Sequence, residues 1–159
     1  MKFNSALRNF VLVLISTLFI SACSTAKKAK VDTVDDVYTG TDTVEFLAKG
    51  VPDRVFFATN KSKLTTKSRD TLRKQATYLR KNKDLTVTVE GHADERGTRE
   101  YNLALGERRA NAAKDYLMTY GVSGKRISVI SYGKEKPVNP ASSPLAWSQN
   151  RRSVTIKAN

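Results

Sequence analysis

Residues 91–110 of the chain read GHADERGTREYNLALGERRA, and this stretch decides both the fold and the candidate site. Apolar and polar residues alternate through 85–90 just before it, which predicts a strand with one buried face. Gly97 then permits a turn, and a helical pattern follows. The stretch therefore places a carboxylate, Asp94, at the end of a strand and a guanidinium, Arg109, in the body of the next helix.

The rest of the chain from residue 51 onwards alternates strand and helix. The pattern predicts a strand at 54–57, a helix capped by Thr65, the strand at 85–90, a helix from its cap Thr98 to about Tyr120 before Gly121, a strand at 127–132, a loop rich in Pro, Gly and Ser, and a last strand with Val154 and Ile156. The alternation at 85–90 argues against a doubly wound sheet, whose strands are apolar on both faces. We therefore predict an α+β two-layer sandwich: a four-stranded mixed sheet with helices on one face.

The first residues have the pattern of an export signal. Lys2 and Arg8 precede an apolar run from Phe10 to Ala22, which is shorter than the roughly 20 residues that span a bilayer. Small residues then lead to Cys23, the only cysteine in the chain. We predict a lipoprotein-type signal peptide at 1–22 with lipidation of Cys23. An uncleaved signal anchor is the alternative.

Residues 24–50 show neither a sustained helical nor a sustained strand pattern of apolar residues. We therefore predict that 23–50 is a lipidated N-terminus with a flexible tether and that one domain follows at 51–159. That domain has 22 basic and 10 acidic residues, a net charge of +12. In a cytosolic protein this would suggest nucleic acid. Because an exported protein does not meet nucleic acid, we expect an anionic envelope surface or a solvated basic exterior instead.

The stretch 91–110 resembles the signature of the OmpA-like peptidoglycan-binding domain family, and the resemblance covers about 51–157. In that family, the aspartate matching Asp94 receives the side-chain ammonium of meso-diaminopimelate in the peptidoglycan stem peptide. The arginine matching Arg109 binds the carboxylate on the same carbon. Arginine suits this task because it can hold a carboxylate by two parallel hydrogen bonds. A structural ion pair between the two residues is the alternative.

The resemblance also implies further contacts around this pair. Leu105 matches the apolar residue of an Asn-x-x-Leu-x-x-x-Arg pattern that begins at Asn102, although Leu105 as core fits equally well. Ala58 stands where the family often has an aspartate. Arg152 could brace Asp94, bind ligand or lie on a solvated basic edge. The predicted ligand-binding residues are Asp94, Arg109, Leu105, Phe57, Thr59, Asn60, Arg96 and Arg152.

Metal binding and catalysis are both poorly supported by the residues present. His92, Asp94 and Glu95 are too close in sequence to point in one direction, so we expect no metal and take His92 as structural. The spacing supports no Ser-His-Asp arrangement, and a glycosidase needs two carboxyl groups across a cleft. We therefore expect no enzyme and no cofactor. Trp147 is expected to lie in a loop or cap.

The resemblance implies a non-catalytic tether that binds peptidoglycan. Acyl chains on Cys23 would anchor it, and Ser24 in place of an aspartate implies the outer membrane with the domain facing the periplasm. The family's lipoproteins imply TolB, a periplasmic protein of the Tol system in cell division, as a partner. The alternative is an OmpA-like lipoprotein outside the Tol system.

Overall fold

A computed structural model of the protein describes residues 31–32 and 36–158. The strands are β1 Val31–Asp32, β2 Val37–Tyr38, β3 Phe46–Ala48, β4 Val51–Pro52, β5 Arg54–Phe56, β6 Val87–His92, β7 Ile127–Gly133 and β8 Arg152–Lys157. The helices are α1 Thr66–Lys81, α2 Arg99–Thr119 and α3 Pro144–Asn150, with a 3-10 turn at Gly124–Arg126. The predicted signal peptide and Cys23 lie outside the described residues.

The central sheet has four strands in the order β5-β8-β6-β7. Strands β6 and β7 are parallel, whereas β8 is antiparallel to both β5 and β6. The sheet is therefore mixed, and the predicted α+β architecture is confirmed. Because β8 is inserted between β5 and β6, the residues that precede β8 lie next to the ends of both strands.

Helices α1 and α2 cover one face of this sheet and enclose the main core. Val87 and Val89 of β6 pack in one cluster with Leu72 of α1 and Leu117 of α2. Thr88 and Glu90 alternate with the two valines and point to the opposite face, as the period of a strand requires. The predicted one-sided burial of β6 is confirmed.

The predicted helix ends are also confirmed. The Thr65 hydroxyl accepts a hydrogen bond from the Ser68 backbone N–H, and the Thr98 hydroxyl accepts one from Tyr101. At the other end of α2, Gly121 has φ of +83°, a conformation that glycine adopts without strain. These caps fix where α2 begins and thus where Arg109 lies along it.

Two glycines bring α2 unusually close to β6. A Cβ atom on Gly91 would lie 1.8 Å from the backbone oxygen of Gly106, and one on Gly106 would lie 2.9 Å from the oxygen of Gly91. Neither position has room for a side chain. Because Gly106 is one turn before Arg109, this close approach holds the guanidinium against the end of β6.

Residues 36–50 differ from the predicted tether. Val37, Tyr38 and Leu47 are buried, and the Tyr38 ring packs edge-on against Phe56 with 4.8 Å between centroids. β3 and β4 form a small antiparallel hairpin. These residues therefore pack on the domain, and the division into signal peptide, tether and domain otherwise stays a prediction.

A short helix was not predicted in the loop between β7 and β8. Pro144 occupies the first turn of α3, and the Ser143 hydroxyl caps it by accepting from the Ala146 N–H at 3.2 Å. A segment rich in Ser and Pro is typical of a loop, and this composition led to the loop prediction. Ser followed by Pro is, however, also a common start of a helix. Trp147, expected in a loop or cap, lies within α3.

Candidate functional site

Asp94 lies two residues beyond β6 and is almost completely buried. Its Oδ1 accepts hydrogen bonds from the Arg96 backbone N–H at 3.1 Å and from Arg96 Nε at 3.0 Å. Its Oδ2 accepts from Arg96 Nη2 at 2.7 Å and from Arg151 Nη1 at 3.4 Å. Burial acts to raise the pKa of Asp94, but the Arg96 hydrogen bonds and the Arg151 charge outweigh it and hold the pKa below its usual value. The site therefore contains an ionised carboxylate in cationic surroundings.

Arg109 is fully buried, and its guanidinium binds backbone carbonyls rather than a carboxylate. Nε donates to the oxygen of Lys61 at 2.9 Å, Nη1 to His92 at 2.8 Å and Nη2 to Ala58 at 3.1 Å. The guanidinium also lies over the Phe57 ring, 5.3 Å from its centroid. These three bonds use three of its five N–H groups.

The charges of Arg109 and Asp94 belong to one site without forming an ion pair. Asp94 pairs with Arg96 and Arg151 instead. Burial, followed by the nearby charge of Arg151, lowers the pKa of Arg109 to about 9, while the charge of Asp94 acts in the opposite direction. Arg109 remains a cation at neutral pH. The structural ion pair considered from the sequence is therefore not what the structure contains.

Arg152 was predicted at this site, but the structure places Arg151 there. Arg152 donates to the oxygens of Asn150 and Lys136, and it lies on the far side of the sheet from α2. Arg151 donates through Nε to the oxygen of Phe57 at 3.1 Å and through Nη1 to Asp94. Successive residues at a strand start point in opposite directions, so only one of the two can reach the site.

Residues 57–61 form the loop that joins these groups. The carbonyl oxygens of Phe57, Ala58 and Lys61 accept from Arg151 or Arg109. The Thr59 hydroxyl donates to the Asp36 carboxylate and accepts from Arg96 Nη2 at 3.3 Å. Ala58, where the family often has aspartate, contributes its backbone oxygen.

Asn60 and Phe57 occupy contrasting positions in this loop. Asn60 is exposed and has φ of +55°, a left-handed conformation that asparagine tolerates better than most residues. Phe57 is fully buried and supports the Arg109 guanidinium from below. The Phe57 ring therefore positions the Arg109 guanidinium and is not itself exposed to a ligand.

Arg96 is held between Asp94 and an aromatic wall. Its guanidinium lies 4.3 Å from the centroid of the Trp147 ring, which is a cation–π contact. Trp147 Nε1 in turn donates to the Glu95 carboxylate at 2.8 Å. The Arg96 side chain is 41% exposed, so it is the accessible one of the two arginines on Asp94. Arg96 was among the residues predicted to bind ligand, but its contact with Trp147 was not predicted.

The helix residues predicted near the site are both buried. Asn102 Nδ2 donates to the oxygen of Arg96 at 2.9 Å, so it holds the loop through a side-chain to backbone bond. Leu105 is 3% exposed and lies one turn before Arg109 on α2. That degree of burial fits the interpretation of Leu105 as core beneath the site.

His92 ends β6 and is buried on the face opposite the helices. Its ring stacks on Tyr132 with 5.6 Å between centroids, and Nε2 lies 3.4 Å from the Glu90 carboxylate. Burial, followed by the charges of Arg152 and Lys136, lowers the pKa of His92 to about 3. The structural role predicted for His92 fits this burial.

We expect the His92 imidazole to stay neutral in the folded protein down to about pH 5. Its folded pKa is below the unfolded value of about 6.5, so its contribution to stability is present above pH 6.5 and declines as the pH falls toward 3. The chain has one histidine, so its NMR signal is unambiguous. The urea-unfolded chain is the control, and a folded-state midpoint above pH 5.5 would contradict the expectation.

The described residues contain neither a metal-ligand cluster nor a membrane-spanning helix. No group of three or more His, Cys, Asp or Glu side chains among them is arranged to hold a metal ion. No helix in the described part of the chain combines the length and apolar character needed to cross a bilayer.

Comparison with known proteins identifies the family. The pattern of the OmpA family matches residues 56–151, a range that contains Asp94, Arg109 and Arg151. The chain belongs to the OmpA family. Sequence resemblance had indicated this family, and that prediction is confirmed. OmpA-like domains are binding and structural modules, so the protein is not an enzyme.

Several OmpA-family relatives are similar over most of their length. A peptidoglycan-associated lipoprotein of Rhizobium meliloti is 45% identical over 154 residues, which is 94% of this chain and 88% of that protein. One from Mesorhizobium japonicum is 44% identical, covering 93% of this chain and 91% of the relative. One from Agrobacterium fabrum is 53% identical over 67% of this chain and 60% of the relative.

Solved structures of other proteins share the fold. The crystal structure of the peptidoglycan-associated lipoprotein from Burkholderia pseudomallei has a TM-score of 0.65 and 35% identity, covering 67% of this chain and 90% of that one. The C-terminal domain of Helicobacter pylori MotB has a TM-score of 0.63 at 22% identity, covering 67% and 84%. The second likeness shows the fold alone.

Proposed function

We propose that this protein is an outer-membrane lipoprotein that binds the meso-diaminopimelate residue of peptidoglycan stem peptides non-covalently. The single observation that carries the proposal is the buried, ionised Asp94 next to three guanidinium groups. The similar proteins from Rhizobium meliloti and Mesorhizobium japonicum are peptidoglycan-associated lipoproteins by name, which supports peptidoglycan as the ligand.

The charges of the site suit the end of a diaminopimelate side chain. That end carries an ammonium and a carboxylate on one carbon, so it needs one anion and at least one cation. Asp94 supplies the anion, and Arg96, Arg109 and Arg151 give three positive charges against it. The surplus of positive charge favours a ligand with further carboxylates, as a stem peptide has.

Arg96 is the group that the ligand ammonium would replace. Arg96 occupies both oxygens of Asp94, yet its side chain is partly exposed and is held otherwise by the Trp147 ring and the Thr59 hydroxyl. The ammonium can take its place on Asp94 while the displaced guanidinium turns toward the ligand carboxylate. Because Arg151 remains beside Asp94, the carboxylate stays charged during the exchange.

Calorimetry with two stem peptides tests this function. The full chain in mild detergent is expected to bind a peptide containing meso-diaminopimelate, and to bind the peptide with lysine at that position much more weakly. Lysine keeps the ammonium but lacks the carboxylate, so the guanidinium groups would stay unpaired. Equal affinity for both peptides, or no binding of either, would overturn the proposal.

The anchor and the partner complete the proposed function. Acyl chains on Cys23 would hold the protein in the outer membrane with the domain facing the periplasm, since two or more chains make attachment stable. Palmitate labelling that persists in Cys23→Ala would contradict this.

By resemblance, the protein would act in the Tol–Pal system through TolB during cell division, and failure to capture purified TolB would argue against that role.

A further inference from the structure

The segment 36–44 is docked on the domain right beside the candidate site. Val37 and Tyr38 are buried against Phe56. Lys67 Nζ donates to the backbone oxygen of Thr39 at 2.7 Å, and Gln149 Nε2 donates to the Asp42 carboxylate at 3.0 Å. These contacts join the segment to α1 on one side and to α3 on the other.

Asp36, at the start of this segment, points its carboxylate into the site. Arg151 Nη2 lies 2.5 Å from Asp36 Oδ1 and also donates to the Asp36 backbone oxygen. The Thr59 hydroxyl donates to Asp36 Oδ2. Asp36 has φ of +56°, which is uncommon for a residue other than glycine, so the surrounding contacts hold its backbone in this conformation.

The partners of Asp36 are the same groups that surround Asp94. Arg151 contacts Asp36 through Nη2 and Asp94 through Nη1, so one guanidinium lies between the two carboxylates. Thr59 contacts both Asp36 and Arg96. Arg151 is 1% exposed, whereas Asp36 is 44% exposed. The cation is therefore fixed in the domain, and the carboxylate on it is the group that can leave.

We propose that Arg151 and Thr59 form a carboxylate-binding subsite, which Asp36 fills in the ligand-free protein and a stem-peptide carboxylate fills in the complex. This inference rests on the proposed function. Asp36 and the ligand carboxylate compete because both need the same N–H and O–H donors. The segment 36–44 loosens when the ligand binds, since Asp36 then loses its two side-chain partners.

This competition lowers the apparent affinity of the site. An internal carboxylate on a short connection is present at an effective concentration in the millimolar range. The apparent dissociation constant equals the intrinsic one divided by the fraction of molecules that are open, that is, with Asp36 released from Arg151 and Thr59. Removing the charge of Asp36 is therefore expected to tighten ligand binding, although it removes a native ion pair.

Asp36→Asn in the full chain, purified in mild detergent, tests the proposal. Calorimetry with the meso-diaminopimelate stem peptide should give an affinity about 3- to 10-fold above wild type. Asp42→Asn is the matched control, because Asp42 belongs to the same segment but contacts Gln149 outside the site, and its affinity should stay within about 2-fold of wild type. Hydrogen exchange of residues 37–44 in the wild type should become faster on peptide addition.

The outcomes separate this inference from the proposed function. Wild-type affinity in Asp36→Asn, or unchanged exchange of residues 37–44 on peptide addition, would overturn the competition and leave peptide binding intact. Tighter binding by Asp36→Asn than by the wild type, with Asp42→Asn unchanged, would support it. If neither protein binds the peptide, the proposed function fails and the competition fails with it.

Discussion

Asp94→Asn is expected to reduce the affinity for the meso-diaminopimelate stem peptide by about 30-fold or more. The substitution keeps the size of the side chain but removes the buried negative charge that Asp94 offers to the ligand ammonium. Truncating one partner of a buried charge pair costs roughly 2–5 kcal/mol, which corresponds to that loss. Calorimetric titration of the full chain measures it directly.

Glu95→Gln is the matched control for Asp94→Asn. Glu95 is the next residue in the chain, but it is exposed and its carboxylate accepts from Trp147. Its replacement should leave peptide affinity within about 3-fold of wild type, because surface substitutions change energies by roughly half a kcal/mol. Retention of wild-type affinity by Asp94→Asn would remove Asp94 from the site.

Arg109→Ala is expected to abolish peptide binding and to lower the free energy of unfolding by about 3 kcal/mol or more. The guanidinium is the hydrogen-bond partner of three carbonyl oxygens, those of Ala58, Lys61 and His92. A buried polar group left without a partner costs roughly 1–3 kcal/mol. Urea unfolding followed by circular dichroism measures the loss of stability, and sacculus co-sedimentation measures the loss of binding.

Arg108→Ala controls for the loss of an arginine from the same helix turn. Arg108 is exposed and lies 5.9 Å from the Tyr101 ring, so its removal should change stability by roughly 0.5 kcal/mol at most. Unfolding of Arg109→Ala at the same urea concentration as Arg108→Ala would contradict the role of Arg109 in holding the loop at 57–61.

The centre of the candidate site was predictable because it is encoded locally. Asp94 and Arg109 belong to one strand–turn–helix unit, whose ends are marked by Gly97, Thr98 and Gly121. The rise of a helix places Arg109 about three turns along α2, close to the end of β6. The one-sided burial of β6 then fixes which face of the sheet α2 covers.

The periphery of the site was less predictable because it depends on contacts between distant segments. Arg152 was predicted near Asp94 instead of its neighbour Arg151, because the strand period does not say which of two adjacent residues faces the helices until the register of β8 is known. Arg151 and Asp36 are 115 positions apart, and no periodicity or motif relates them. The cation–π contact of Arg96 with Trp147 likewise depends on α3, a helix in a segment whose Pro, Gly and Ser content had predicted a loop.

The sequence by itself determined the order along the chain of the four central strands and the two long helices, the one-sided burial of β6, and the placement of Asp94 and Arg109 in one strand–turn–helix unit. These features follow from hydrophobic period, caps and turns, which act over a few residues. Only the tertiary structure decided that Arg151 reaches Asp94, that Arg109 binds carbonyls, and that Asp36 fills the site. The reason is that such contacts join segments far apart in the chain, and their geometry is fixed by how the sheet and helices pack together.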